Sequence, residues 1–253
     1  MDSYNEKQQF TDYTVVGSKT GSEAGTVTKE FFAKVFAFMF VALAVSTIFA
    51  FLFSQSPELL RYLIDPQSAR GLSTFGWIVI FAPIGFVLIM SAGYSRLSVP
   101  VLVILFLLYS ALIGISFSFL ILAFTTSSLI GCFAGAAAMF AVMAIMGYTT
   151  DKDLTSMGRL LMMAFVGIFV ASLVNIFIGS DQLGYIIGVI GVIVFTGLVA
   201  YKVQNLKNIA MGLEFEDVSK DDTNKLAILG ALGLYITFVN LFLSLLRLFG
   251  RRR

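Results

Sequence analysis

Ser98-Val-Pro-Val-Leu-Val-Ile-Leu-Phe-Leu-Leu-Tyr-Ser-Ala-Leu-Ile-Gly-Ile-Ser-Phe-Ser-Phe-Leu-Ile-Leu-Ala123 runs without one charged side chain. At 1.5 Å per residue a helix of this length crosses the roughly 30 Å of a bilayer's hydrocarbon. Its polar members are hydroxyls, which a helix in lipid can satisfy on its own carbonyls. Working outward, six further apolar runs occur, at Phe31–Phe53 and about 75–94, 129–147, 160–178, 183–201 and 227–248. The fold class that follows is an all-α integral membrane protein with seven transmembrane helices. Its domains are a flexible polar tail at 1–30, a transmembrane unit at 31–250 and a basic tail at 251–253.

Composition agrees. Apolar residues make up 58% of the 253 and charged ones 13%, against about a quarter charged in soluble domains. All 15 carboxylates fall in segments read as tails or connections. There is no histidine, which excludes Ser-His hydrolysis and His-ligated zinc or haem. The single cysteine, Cys132, excludes an intrachain disulfide and reads as a small packing residue. The spans contain no Gly-x-Gly-Asp pair, so the chain reads as a non-enzyme with no metal site, cofactor or nucleic-acid partner.

The connections carry their own signals. Ser56-Pro57-Glu58 opens a short interfacial helix through Ile64, with a Pro and an acid suited to a first turn. Residues 95–97, 124–128 and 179–182 are tight turns, so the helices they join are antiparallel neighbours. After span six, Val203, Leu206, Ile209, Ala210 and Leu213 continue a helical period, predicting an amphipathic extension along the membrane surface. The acidic stretch Glu214–Asp222 follows it. Gly131-x-x-x-Gly135, Gly184-x-x-x-Gly188, Gly191, Gly230 and Gly233 predict close helix contacts within the bundle.

Basic residues set the orientation. Lys7, Lys19, Lys29, Lys34, Arg96, Lys152, Arg159, Lys202, Lys207, Lys220 and Lys225 share one side, against Arg61 and Arg70 on the other. The N-terminus is therefore expected in the cytoplasm, with the lipid bilayer of a bacterial inner membrane as host. Arg247 and Arg251–Arg253 run against this trend: either the last span is re-entrant, or a basic tail is tolerated outside.

Polar groups inside spans are few. Asn175, Gln204, Asn240, Thr237, Tyr201 and Tyr235 are the intramembrane candidates, and Lys34, Lys202 and Arg247 lie near span ends where they can snorkel. A tight Ca²⁺ site normally includes carboxylates, and the spans supply none.

Several segments resemble the Bax inhibitor-1 family of transmembrane proteins. They are Gly147-Tyr-Thr-Thr-Asp-Lys-Asp-Leu-Thr-Ser-Met-Gly158, Val174-Asn-Ile-Phe177, Tyr201-Lys-Val-Gln204 and Lys225-Leu-Ala-Ile-Leu-Gly-Ala-Leu232, the last continuing through Leu234-Tyr235, Asn240-Leu-Phe242 and Arg247. The resemblance implies a C-terminal helix wrapped by the other six, and a pH-modulated calcium or cation leak. It also implies an alternative role as a non-conducting interaction protein that modulates a membrane-bound AAA protease. In the family a hydrogen-bonded aspartate pair senses pH, and in some members an arginine ending span two latches the pore. Here the two aspartate positions hold Lys202 and Thr237, while Arg96 matches the arginine. Arg96, Lys202 and Thr237 are thus the gate candidates. A carboxylate pair titrates by sharing a proton; Lys and Thr cannot, so gating must differ. Lys202 and Arg96 are expected to face each other. Lys202 is expected to snorkel, and only if buried against Thr237 would it be a titrating group of opposite sign.

Overall fold

The computed structural model describes residues 21–65, 71–215 and 218–253. Residues 1–20 with Lys7 and Lys19, Arg70, and the Glu216–Asp217 part of the acidic stretch lie outside them. Among the described residues there are eight helices: α1 Gly21–Gln55, α2 Pro57–Leu63, α3 Thr74–Gly93, α4 Val99–Ala123, α5 Thr126–Thr149, α6 Thr155–Ile178, α7 Asp181–Phe215 and α8 Lys220–Phe249. All but α2 are long and apolar enough to cross a membrane.

The helices start and stop where local chemistry dictates. Pro57 opens α2, with Glu58 in the first turn and Arg61 in the last, matching the helix dipole. Ser73 caps α3 by accepting from Gly76 N (3.0 Å). α6 ends at Gly179 in the left-handed region (φ 69°), whose N–H returns to the Asn175 carbonyl. Ser219 caps α8 by accepting from Asp222 N (3.1 Å), and Asp221 and Asp222 face the positive end of that dipole.

α8 is the centre. It packs against α1, α4, α5 and α7, and buries Tyr235, Thr237, Phe238, Leu241, Leu245 and Leu246 among others. α6 is the periphery: it packs on α7, and its one buried residue is Gly158. Both follow from solvent. In lipid an apolar outer face costs nothing, so a span needs only one packed seam.

Three expectations are corrected. Residues 21–30, read as tail, belong to α1. The extension after span six does not lie along the surface: Val203, Leu206, Ala210 and Leu213 are buried in the same core as Ala227, Ile228 and Ala231 of α8. Its apolar stripe is an interhelical seam. The re-entrant option for the last span also fails, since α8 is one unbroken helix. Arg252 bridges to Phe124 and Arg253 N donates to the Ala123 carbonyl (3.0 Å), so the basic tail sits at the α4–α5 turn.

Of the predicted glycines, Gly188, Gly191 and Gly230 meet a neighbouring helix closely, whereas the Gly131–Gly135 pair does not. A Cβ at Gly131 would meet nothing within 4 Å, and one at Gly135 only Leu245 at 3.8 Å. The tight crossings are Gly114 on Ser46 and Gly147 on Ala200, where a Cβ would lie 2.8 and 2.7 Å from the opposing Cα. Gly191 abuts Ser244, and Gly230 abuts Leu206.

Candidate functional site: the polar core around the central helix

Two polar clusters converge on α8. The first joins α7 to α8. Lys202 Nζ donates to the Gly233 carbonyl at 2.9 Å. Thr237 Oγ1 donates to that same carbonyl, also at 2.9 Å, one turn along the helix. The carbonyl sits mid-α8, so these two donors share its two lone pairs with the helix's own N–H. The ammonium reaches it because Gly233 puts no side chain between them: a Cβ there would lie 3.7 Å from Nζ.

Snorkelling is therefore not what Lys202 does. Its stem crosses to the central helix, and its charge is held by a main-chain dipole. Lys202 and Thr237 are brought together through this shared acceptor. Arg96 is not part of the cluster: its side chain is exposed on the α3–α4 turn, where its N–H donates to the Gly93 carbonyl at 2.9 Å. The expected face-off between two cations is replaced by one cation on a carbonyl.

The second cluster lies deeper. Tyr235 Oη and Ser46 Oγ are 2.6 Å apart, and Ser46 Oγ also approaches the Ser110 carbonyl (2.7 Å) and the Ala42 carbonyl (3.0 Å). The Tyr235 ring is gripped edge-on by Phe106 and Tyr109, with centroids 6.0 and 5.8 Å away. One phenol thus ties α1, α4 and α8 together. Ser46 was missed in the sequence, although a Ser-Thr pair midway along an otherwise apolar run was the available signal. Gly114 was the second clue, because a close crossing needs a glycine opposite it.

The remaining candidates do structural work elsewhere. Gln204, buried, donates to the Lys152 carbonyl (2.7 Å) and accepts from Leu154 N (2.8 Å), clamping the α5–α6 loop. Tyr201 lies against Gly158, where a Cβ would clash with one edge of its ring. Asn175 Oδ1 accepts from Ser180 N (3.1 Å) and holds the α6–α7 turn. Asn240 donates to the Ile236 carbonyl (2.8 Å) on its own helix. Arg247 Nη1 reaches Ser172 Oγ at 3.3 Å on α6. No group of three or more potential metal ligands among His, Cys, Asp and Glu occurs among the described residues.

Comparison with known proteins places this architecture. The model of the family described as "Inhibitor of apoptosis-promoting Bax1" matches residues 28–253. The chain is 40% identical to inner membrane protein YbhL of Escherichia coli (strain K12) over 223 residues, covering 88% of this chain and 92% of that one. It is 37% identical to an uncharacterized protein of Borreliella burgdorferi, covering 90% and 94%. An uncharacterized membrane protein of Streptococcus pyogenes serotype M6 shares 33% identity, covering 92% and 96%. With the family model and these relatives matching along nearly the whole length, this chain of seven long apolar helices belongs to the Bax inhibitor-1 family.

Proposed function

We propose that this chain is a cation leak of the Bax inhibitor-1 type in which Lys202 is the latch. The observation that carries the reading is the 2.9 Å bond from Lys202 Nζ to the Gly233 carbonyl. It stands where the family resemblance leads one to expect titrating carboxylates. A divalent ion brought within about 4 Å of an ammonium, at an effective dielectric of about 20, meets roughly 8 kcal/mol of repulsion. That is about a million-fold in rate. Permeation of Ca²⁺ along α8 then requires the lysine to leave its carbonyl, and the bonded state is the closed one.

Calcium flux into dye-loaded proteoliposomes between pH 6 and 8 tests this. Wild type is expected to leak slowly, Lys202→Met to leak faster, and Lys202→Asp with Thr237→Asp to leak with pH dependence. Equal flux through wild type and Lys202→Met would sink the latch.

A second reading is a non-conducting protein that modulates a membrane-bound protease through its helices and N-terminal tail. The observation favouring it is that Lys202 and Thr237 stand where the family resemblance places the aspartate pair, which leaves no titrating carboxylates there to gate a pore. Silence of all three proteoliposome samples, with a protease recovered by crosslinking from α6, would favour this reading over the leak.

A further inference from the structure

α1 and α5 both pack on α8 yet scarcely on one another. Between them lies a crevice of about 590 Å³, with α8 as its floor and α4 closing one side. Small-molecule sites typically span about 300–1,000 Å³, so the space is large enough for a ligand of that size.

Its two ends differ in chemistry. Most of the wall is apolar, formed by Leu120, Ile130, Phe133, Phe238 and Phe242. The deep end stops at the Ser46–Tyr235 hydrogen bond. The rim carries Arg253, whose guanidinium touches the Thr126 hydroxyl at 3.3 Å. Among the described residues no Asp or Glu side chain lines the crevice. The neighbouring Arg252 is matched by Asp181 at 3.4 Å, whereas among the described residues no Asp or Glu side chain pairs with Arg253 at the rim. Arg253 is also held in place: its N–H is bonded to the Ala123 carbonyl, and Thr125 N donates to the Arg251 carbonyl, both at 3.0 Å.

We propose that this crevice is a specific site for one anionic phospholipid, with its phosphate at Arg253 and Thr126 and an acyl chain running to Tyr235. The length fits. From Tyr235 to the end of α8 is about 20 Å of helix at 1.5 Å per residue, somewhat more than the 15 Å or so of hydrocarbon in one leaflet. The polarity fits as well, since an apolar trough ending in one guanidinium is complementary to a chain that ends in one phosphate. A peptide would bring backbone N–H and C=O groups into a wall that satisfies few of them.

The test is native mass spectrometry of the full chain, released from nanodiscs holding equal amounts of phosphatidylglycerol and phosphatidylcholine with identical acyl chains. Wild type should retain one phosphatidylglycerol at least fivefold over phosphatidylcholine. Arg253→Gln should remove the preference, and Arg253→Lys should restore much of it. Thr47→Trp, a bulky side chain at an exposed position of the α1 wall, should lower retention of both lipids. Equal retention of the two lipids by wild type means annular lipid only and overturns the proposal. So does a preference that survives Arg253→Gln. Loss of the bound lipid to excess glycerol 3-phosphate, which has no chains, would make the rim a free-anion site and reject the acyl chain's part in binding.

Discussion

Gln204 shows how a buried amide in this protein is used. Its two ends close on the Lys152 carbonyl and the Leu154 N–H, so one side chain completes a loop that the helices leave open. Replacing it with Leu strips a partner from two backbone groups, at about 1–3 kcal/mol each. Gln204→Leu should therefore melt several degrees below wild type in detergent, followed by circular dichroism; an unchanged midpoint would mean the loop does not depend on the clamp. In the same loop Thr155 holds the Asp153 carboxyl below the usual range, through its side chain and its N–H (2.8 Å), with Arg159 contributing. A carboxyl whose folded pKa is depressed stabilises the fold fully above the unfolded value of about 4, and the contribution fades as pH falls through the folded value. Amide exchange across 151–155, corrected for its intrinsic pH dependence, should thus accelerate below about pH 4. In Asp153→Asn that additional acceleration should be absent. Sequence alone marked Gln204 as polar and intramembrane; it did not pair it with the loop, because the partners are main-chain groups some fifty positions away.

At the scale of the helix, the spans were legible because lipid imposes a simple rule: charges leave, apolar residues stay. The same rule misled at α1, where polar residues sit on true helix, and at α7, where the helix was expected but its place along the membrane surface was wrong. Thr26–Glu30 precede the apolar run of α1, and Lys202, Gln204 and Lys207 interrupt the period of α7. Helix there is decided by packing on α8 and by hydrogen bonds across the bundle, which composition does not report. Glycine spacing misled at Gly131 and Gly135 for a related reason. Small residues four apart share a face, but the pattern does not say which face meets a neighbour. Gly147 and Gly114 are the crossings that matter, each without room for a Cβ. Gly147→Val should cost about 1–3 kcal/mol by forcing α5 and α7 apart, whereas Gly131→Ala, with open space around it, should be within about 0.5 kcal/mol of wild type or slightly stabilising. Steric-trap or urea unfolding in micelles measures both. Equal losses at the two positions would contradict the crossing geometry.

Across the whole molecule, α8 at the centre was an expectation of the family resemblance, while which of its groups meet which neighbours came only with the fold. Topology then ties the ends together. Seven crossings put the α4–α5 turn, the α6–α7 turn and the Arg251–Arg253 tail at one end. Lys34 meets Asn224 at the other (2.8 Å). That second end also carries Arg96, Lys152, Arg159, Lys207, Lys220 and Lys225. It holds the larger share of Lys and Arg, so the positive-inside rule predicts that it faces the cytoplasm, against Arg61, Arg247 and the tail's three arginines opposite. Those three are partly offset, because Arg252 pairs with Asp181 and the strand-like contact with Phe124 folds the tail onto the bundle. The prediction is read with single cysteines at Arg251 and at Lys220, both exposed, in a Cys132→Ala background. A membrane-impermeant maleimide applied to intact spheroplasts should label Arg251→Cys at once, and Lys220→Cys only after lysis. The two positions answer different questions. If both patterns invert together, the seven crossings stand and the basic tail has outweighed the loops. If both positions label from the same side, α8 does not cross, and the central-helix architecture itself is wrong.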